Sequence, residues 1–222
     1  MTIRSHGIRF LALLTALCAF VLANPVGAAV GPQAGKGAEP GWQPLFDGKT
    51  LTNWQATKFV AEGPVEVEDG RIILEPGRNI TGITWTGSTL PTTNYELALQ
   101  AMRVEGSDFF AGITFPVDDS FCSLILGGWG GSVVGLSSIN GMDASENNTS
   151  QSVEFENGRW YNVRIRVTPA KIEAWLDDRQ IITQELKDNK VDTRLEVELS
   201  KPLGIASYKT KAALRDIRLR RL

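Results

Sequence analysis

The sequence is almost without histidine, and its single one, His6, falls in an opening stretch that reads as an export signal. Arg4 and Arg9 precede an apolar run from Phe10 to Leu22, and small residues follow at Gly27 to Ala29. Cleavage of residues 1–29 would leave no histidine at all. That absence excludes Ser-His-Asp and Cys-His triads, histidine-bound zinc and any imidazole acid or base. Cysteine is nearly as scarce. Cys18 leaves with the signal, and Leu17 before it and Ala19 after it are not the surroundings of a lipid-anchored cysteine. Cys122 then stands alone, so an internal disulfide is excluded, and its apolar neighbours mark it as an inert core thiol. The opening apolar run is too short to cross a bilayer comfortably, and no later run replaces it, so no membrane insertion is expected after cleavage. An excess of basic residues is missing too. Without Arg4 and Arg9, Lys+Arg falls from 23 to 21 against 25 Asp+Glu, a net charge of −4, which argues against nucleic acid as a partner. Finally, no window carries a sustained helical period.

Residues 30–40 are mostly Gly, Pro and Ala, a composition that reads as a flexible linker. Residues 41–222 show no second shift of composition and no repeat, which predicts one domain. Its pattern is strands and turns. Asp69-Gly70 between Val65, Val67 and Ile72, Leu74 spells a hairpin, and Asp118-Asp119, Asn157-Gly158 and Asp177-Asp178 supply further turns. Tyr95 to Val104 sets Leu97, Leu99 and Ala101 against Glu96, Ala98, Gln100 and Met102. Trp160 to Thr168 sets Tyr161, Val163, Ile165 and Val167 against Asn162, Arg164 and Arg166. Lys171 to Leu176 points Ile172, Ala174 and Leu176 inward. Near the end, Arg215, Arg218, Arg220 and Arg221 are interleaved with Ile217 and Leu219, a strand with one solvated face. Many short strands joined by tight turns predict an all-β sandwich or a closed barrel.

The stretch from Asp108 to Ser138 has a different character. Period-2 reading puts Phe109, Ala111, Ile113 and Phe115 in the core and leaves Asp108, Phe110, Gly112 and Thr114 on a face of small and polar residues, suited to a groove. Trp129 follows, flanked by two glycines on each side, where little side chain can cover its ring.

Several stretches then occur in a telling order: Gly41-Trp42; Leu45 to Trp54, LFDGKTLTNW; Val67-Glu68-Asp69-Gly70-Arg71-Ile72; Asn94-Tyr95-Glu96-Leu97; Asn157-Gly158-Arg159-Trp160-Tyr161; Ile172 to Asp178; Leu203-Gly204-Ile205-Ala206; and Leu214 to Leu219. This order resembles the 3-keto-disaccharide hydrolase domain family across nearly all of 41–222. The resemblance implies a concanavalin A-like jelly-roll sandwich of two curved antiparallel sheets, with a ligand groove on the concave face. It also implies exported chemistry on a 3-keto-glycoside: abstraction of the acidified carbon 2 hydrogen, elimination of the glycosidic oxygen and re-addition of water. Such a site needs a base, a stabiliser of the enolate and often a bound cation.

On that basis Glu96 is the preferred base, against the alternative of a solvated carboxylate on an outer sheet, and Gln100 accompanies it on the same strand face. Asp108 is a second catalytic candidate, or else a turn residue. Gln100, Thr114 and Trp129 are the candidate substrate contacts, Trp129 serving as a stacking platform or as a lid on the core. The loop from Asn140 to Asn148 gathers oxygen donors, with Asp143 and Glu146 the candidate ligands of calcium or another divalent cation, or a plain polar loop. Three functional readings stay open: a hydrolase of 3-keto-glycosides, a glycan-binding module without chemistry, and a structural domain of a surface assembly.

Overall fold

The computed structural model describes residues 41–222 and, ahead of them, Thr2 alone; the predicted signal and linker lie outside the described residues. Fifteen strands follow one another, beginning with β1 (Gln43–Pro44), β2 (Trp54–Ala56), β3 (Val65–Glu68), β4 (Arg71–Leu74) and β5 (Ile80–Trp85). The middle of the chain gives β6 (Tyr95–Glu105), β7 (Ala111–Val117), β8 (Ser120–Gly128), β9 (Val133–Ser137) and β10 (Gln151–Ser152). The last five are β11 (Trp160–Val167), β12 (Lys171–Leu176), β13 (Arg179–Glu185), β14 (Gly204–Tyr208) and β15 (Lys211–Arg221), with one 3-10 helix, Leu195–Ser200, before β14. Among the described residues no helix is long and apolar enough to cross a membrane.

The strands form two antiparallel sheets. An eight-stranded sheet runs β13-β12-β11-β6-β15-β4-β3, with β1 also pairing with β15, and a seven-stranded sheet runs β10-β9-β8-β7-β14-β5-β2. Between them lies one apolar core. The inward faces of β6, β11 and β12 supply Leu97, Leu99, Ala101, Tyr161, Val163, Ile165, Val167, Ile172 and Ala174, as their alternation predicts, and meet Ile113, Phe115, Cys122, Leu124 and Leu136 of the other sheet. Tyr95 ties the sheets by donating its hydroxyl to the Pro116 carbonyl (2.7 Å). The turns follow sequence chemistry: Asp69 and Gly70 both take positive φ (47° and 78°), the geometry of a two-residue hairpin turn, while Asp118 and Asp177 take positive φ at two other tight turns. The predicted jelly-roll sandwich is what the chain forms.

One local expectation needs correction, just ahead of β7. Phe109 was read as core and Phe110 as groove. The structure reverses them: Phe110 is fully buried and Phe109 half-buried on the outer side. The pairing register shifts between Leu126 and Gly128, Gly127 (φ 77°) lies against the Phe110 ring, and regular strand begins only at Ala111. That bulge belongs to β8; Phe109 and Phe110 lie in the bend ahead of β7, where the period-2 alternation of a regular strand does not hold. In β15 the expected strand with one solvated face forms, and it carries a bulge of its own. Asp216 has φ 54° and the register shifts between Arg215 and Arg218, so these two arginines, three positions apart, share one face.

Candidate functional site

A groove of about 350 Å³ opens on the outward face of the seven-stranded sheet. Its wall is built from several elements: Asp108 and Phe109 ahead of β7, Ser123 and Ile125 on β8, Ser137 at the end of β9, Tyr208 ending β14, and Arg194, Glu196 and Val197 from the 3-10 segment. Phe109 and Tyr208 lie stacked, with centroids 5.9 Å apart and planes 26° off parallel. Across the opening stands Trp129, 44% exposed, a flat apolar surface of the kind on which the C–H faces of a sugar ring pack.

The Trp129 loop is held rigidly. Trp129 itself (φ 50°), Gly130 (φ 89°) and Gly131 (φ 116°) are all left-handed. A side chain at Gly131 would meet the Ser107 carbonyl oxygen at 2.6 Å, so only glycine fits there. Asp108 accepts the Gly130 N–H (3.3 Å) and the Phe109 N–H (2.7 Å). From behind, the buried Arg103 donates to the Gly131 carbonyl (3.4 Å), to Asn157 (2.6 Å) and to the Phe155 carbonyl (2.5 Å).

Polar groups are few and placed deep. Ser123 shares a hydrogen bond with Thr114 (2.9 Å), and both are buried. Ser137 is 1% exposed and its hydroxyl has no hydrogen-bond partner. A buried orphan hydroxyl costs free energy that a ligand can recover. At the rim Arg194 pairs with Glu196 (2.8 Å) and Asp143 (2.7 Å). The hydrogen bond from Arg194 is the chief reason that the Glu196 carboxyl sits below its usual range, and the same pair raises the guanidinium. Among the carboxylates lining the groove, Asp108 is the one held by backbone amides with no cation against it.

The sequence-predicted residues therefore divide. Asp108 and Trp129 line this groove, and Thr114 lies beneath it through Ser123. Glu96 and Gln100 do not join them, which corrects the expectation of one shared site. They lie on the outward face of the opposite sheet, because β6 and β7 are consecutive in the chain but belong to different sheets. There Glu96 is covered by three arginines: Arg164 (3.0 Å), Arg166 (2.8 Å) and Arg220 (2.6 Å). Burial alone would raise its carboxyl, but the hydrogen bonds and charges of Arg166 and Arg220 outweigh it and hold the group below the usual range. A carboxylate so stabilised as an anion is a poor base. Gln100 is bonded to Asn162 (2.7 Å) and Arg215 (2.7 Å).

The cation expectation is corrected as well. Asp143 spends one carboxylate oxygen on the Ser145 N–H and hydroxyl (2.9 and 2.6 Å) and the other on Arg194, so a guanidinium stands where a metal would bind. Glu146 is exposed nearby. Among the described residues no group of three or more His, Cys, Asp or Glu is placed to hold a metal ion.

Sequence reading missed Phe109, Ser123, Ser137, Arg194, Glu196 and Tyr208. The alternation of Ser123 and Ile125 around Leu124 was a usable signal for an outward face. Arg194 and Glu196 come from a segment without period and carried none.

Comparison with solved structures gives the fold at low identity. A protein described as a glycosyl hydrolase from Parabacteroides distasonis superposes with a TM-score of 0.53 at 14% identity, covering 82% of this chain and 94% of that one. An endo-acting O-glycanase of the human gut microbiota gives 0.55 at 12%, covering 81% and 100%. Domain 4 of the extracellular arabinanase AbnA from Geobacillus stearothermophilus, in complex with arabinotriose, gives 0.50 at 14%, covering 76% and 82%. Comparison with curated protein sequences finds no match. The model of the 3-keto-alpha-glucoside-1,2-lyase-like domain matches residues 41–220, and the chain belongs to that family.

Proposed function

We propose that the groove on the seven-stranded sheet binds a carbohydrate, and that Asp108 acts there on a 3-keto-glycoside. The observation that carries the binding reading is the pairing of exposed aromatic surface with a buried, unpartnered donor: Trp129, Phe109 and Tyr208 around the hydroxyl of Ser137. Apolar walls with a few fixed polar groups are what a sugar site needs, since ring faces are apolar and hydroxyls directional.

The chemistry follows from family membership and from Asp108. A ketone at carbon 3 acidifies the carbon 2 hydrogen. Asp108 takes that proton, the electron pair forms the carbon 1–carbon 2 double bond, and the glycosidic oxygen leaves with a proton as an alcohol. Water then adds across the double bond, its hydroxyl to carbon 1 and a proton to carbon 2. Arg194, at the groove wall, is the cation suited to the transient enolate. Glycan binding without chemistry is the second reading, favoured by the lack of histidine after residue 6. Export follows from the signal-like opening; amino-terminal sequencing of the secreted protein beginning near residue 30 would bear it out, and an uncleaved cytoplasmic product would overturn it.

An NMR time course in deuterated water, with 3-keto-glycosides and their parent glycosides, tests the groove and its chemistry. Wild-type protein is expected to show saturation transfer from bound sugar and to release 3-keto sugar carrying deuterium at carbon 2. Trp129→Ala should weaken binding about tenfold, the loss of roughly 1.4 kcal/mol of stacking. Asp108→Asn should abolish turnover and keep binding. Undiminished turnover in that variant removes Asp108 as the base, and no saturation transfer from any glycan sinks the groove as a sugar site.

A further inference from the structure

The opposite face of the sandwich carries a second array that the groove does not use. In the eight-stranded sheet, cross-strand register sets Arg218, Ala98, Arg164 and Trp175 in one outward row and Arg220, Glu96, Arg166 and Glu173 in the next. Arg215 opens a third row beside Gln100 and Asn162. Five arginines therefore surround Ala98, whose small side chain leaves the centre low. Arg218 and Arg164 flank it at two strand spacings, roughly 10 Å.

The guanidiniums are fixed rather than loose. Arg164 lies 3.7 Å from the Trp175 ring centroid, Arg215 4.0 Å from Trp160, and Arg218 and Arg220 lie 5.0 and 4.7 Å from Trp42. Their charge is only partly matched locally: Arg166 also reaches Glu173 at 3.6 Å, but Lys171 pairs with that carboxylate as well. Glu96 is shared by three of them. Arg215 hydrogen-bonds an amide, and the nearest carboxylate contact of Arg218 is Asp216 at 3.7 Å. The buried Nε of Arg218 has no acceptor. A chain with a net charge of −2 thus concentrates positive charge in one strip.

We propose that this strip binds an acidic polysaccharide through its carboxylates, as a surface separate from the groove. Pre-positioned guanidiniums match carboxylates bidentately. The exposed Asp216 borders the strip, so a linear polyanion can follow the arginines past it where a flat anionic membrane would press on that acid too. Single-stranded nucleic acid needs free aromatic platforms for its bases, and here the indoles already carry guanidiniums.

The test uses the full chain with polygalacturonate, its methyl-esterified form, anionic phospholipid vesicles and a single-stranded oligonucleotide. Polygalacturonate should bind, lose most of its affinity on esterification and weaken as salt rises. Arg215→Gln with Arg218→Gln removes two charges without touching the Glu96 cluster and should weaken binding at least tenfold. Lys187→Gln with Lys190→Gln makes the same charge change elsewhere and should leave it within twofold, as should Trp129→Ala. Thermal melts confirm that each variant is folded. No binding, equal loss in both double variants, loss in Trp129→Ala, or preference for vesicles or oligonucleotide each overturns the proposal. Trp129→Ala also separates the two surfaces, because failure of the groove reading leaves this strip untouched.

Discussion

Glu96 shows what one side chain's surroundings decide. Its carboxylate is fully covered, yet what covers it is guanidiniums that are themselves about a third exposed, at 34%, 33% and 30% for Arg164, Arg166 and Arg220. Solvent therefore screens the cluster in part, and Glu96→Gln should cost about 2 kcal/mol, less than a fully buried pair would. The pH dependence follows from the lowered folded value. Stability from this group is complete above the unfolded carboxyl value, near pH 4.3, and drains away as pH falls through the lower folded value. Urea titrations between pH 3 and 7 should show that acid limb in the wild type and a shallower one in Glu96→Gln; parallel curves would mean that Glu96 adds nothing. Residue chemistry was legible in sequence where it depends on neighbours along the chain, as with Asp69-Gly70 and Trp129 among its glycines. The role of Glu96 depends on Arg220, 124 positions away, and no local pattern points to that.

At the level of strands, alternation identified the buried faces of β6, β11 and β12 correctly, because a regular strand has no freedom to do otherwise once one face is apolar. It failed at Phe109, which lies in the bend ahead of β7 where no regular strand fixes the alternation. Sheet membership was illegible for a different reason: β6 and β7 alternate alike, and only their distant partners separate them. The glycines of the groove sheet give a sharp contrast to measure. A Cβ at Gly82 would stand 2.8 Å from the Ile205 carbonyl oxygen and 2.9 Å from the Ala206 Cβ, with backbone that cannot yield. Gly82→Ala should cost about 1–3 kcal/mol. At Gly112 the neighbours are the tips of Phe109 (3.2 Å) and Ile125 (3.5 Å), which can turn aside. Gly112→Ala should leave the melting midpoint nearly unchanged while weakening sugar binding by crowding the groove floor. Equal destabilisation by the two variants would refute this reading of the sheet.

For the molecule as a whole, Cys122 is a built-in probe. Burial in the shared core pushes its thiol up to about 12, and its exposure is 0%. Alkylation at pH 8 should require opening of the sandwich, so labelling rates should rise with urea along the same curve as tryptophan fluorescence. Fast labelling of the native protein would show that the core around β8 opens on its own. One further consequence belongs to the order in which the chain is made. β14 and β15 come last, yet β14 sits between β7 and β5, and β15 between β6 and β4. Each sheet thus waits for its keystone. Until residues 204–221 emerge, β7 and β5, and likewise β6 and β4, have no strand to join them, and the closing contacts run from 90 positions (Gly204 to Thr114) to 142 (Leu214 to Ile72), a topology that folds slowly. A nascent chain halted before Gly204 should remain protease-sensitive, and release of the last two strands should convert it to the resistant form.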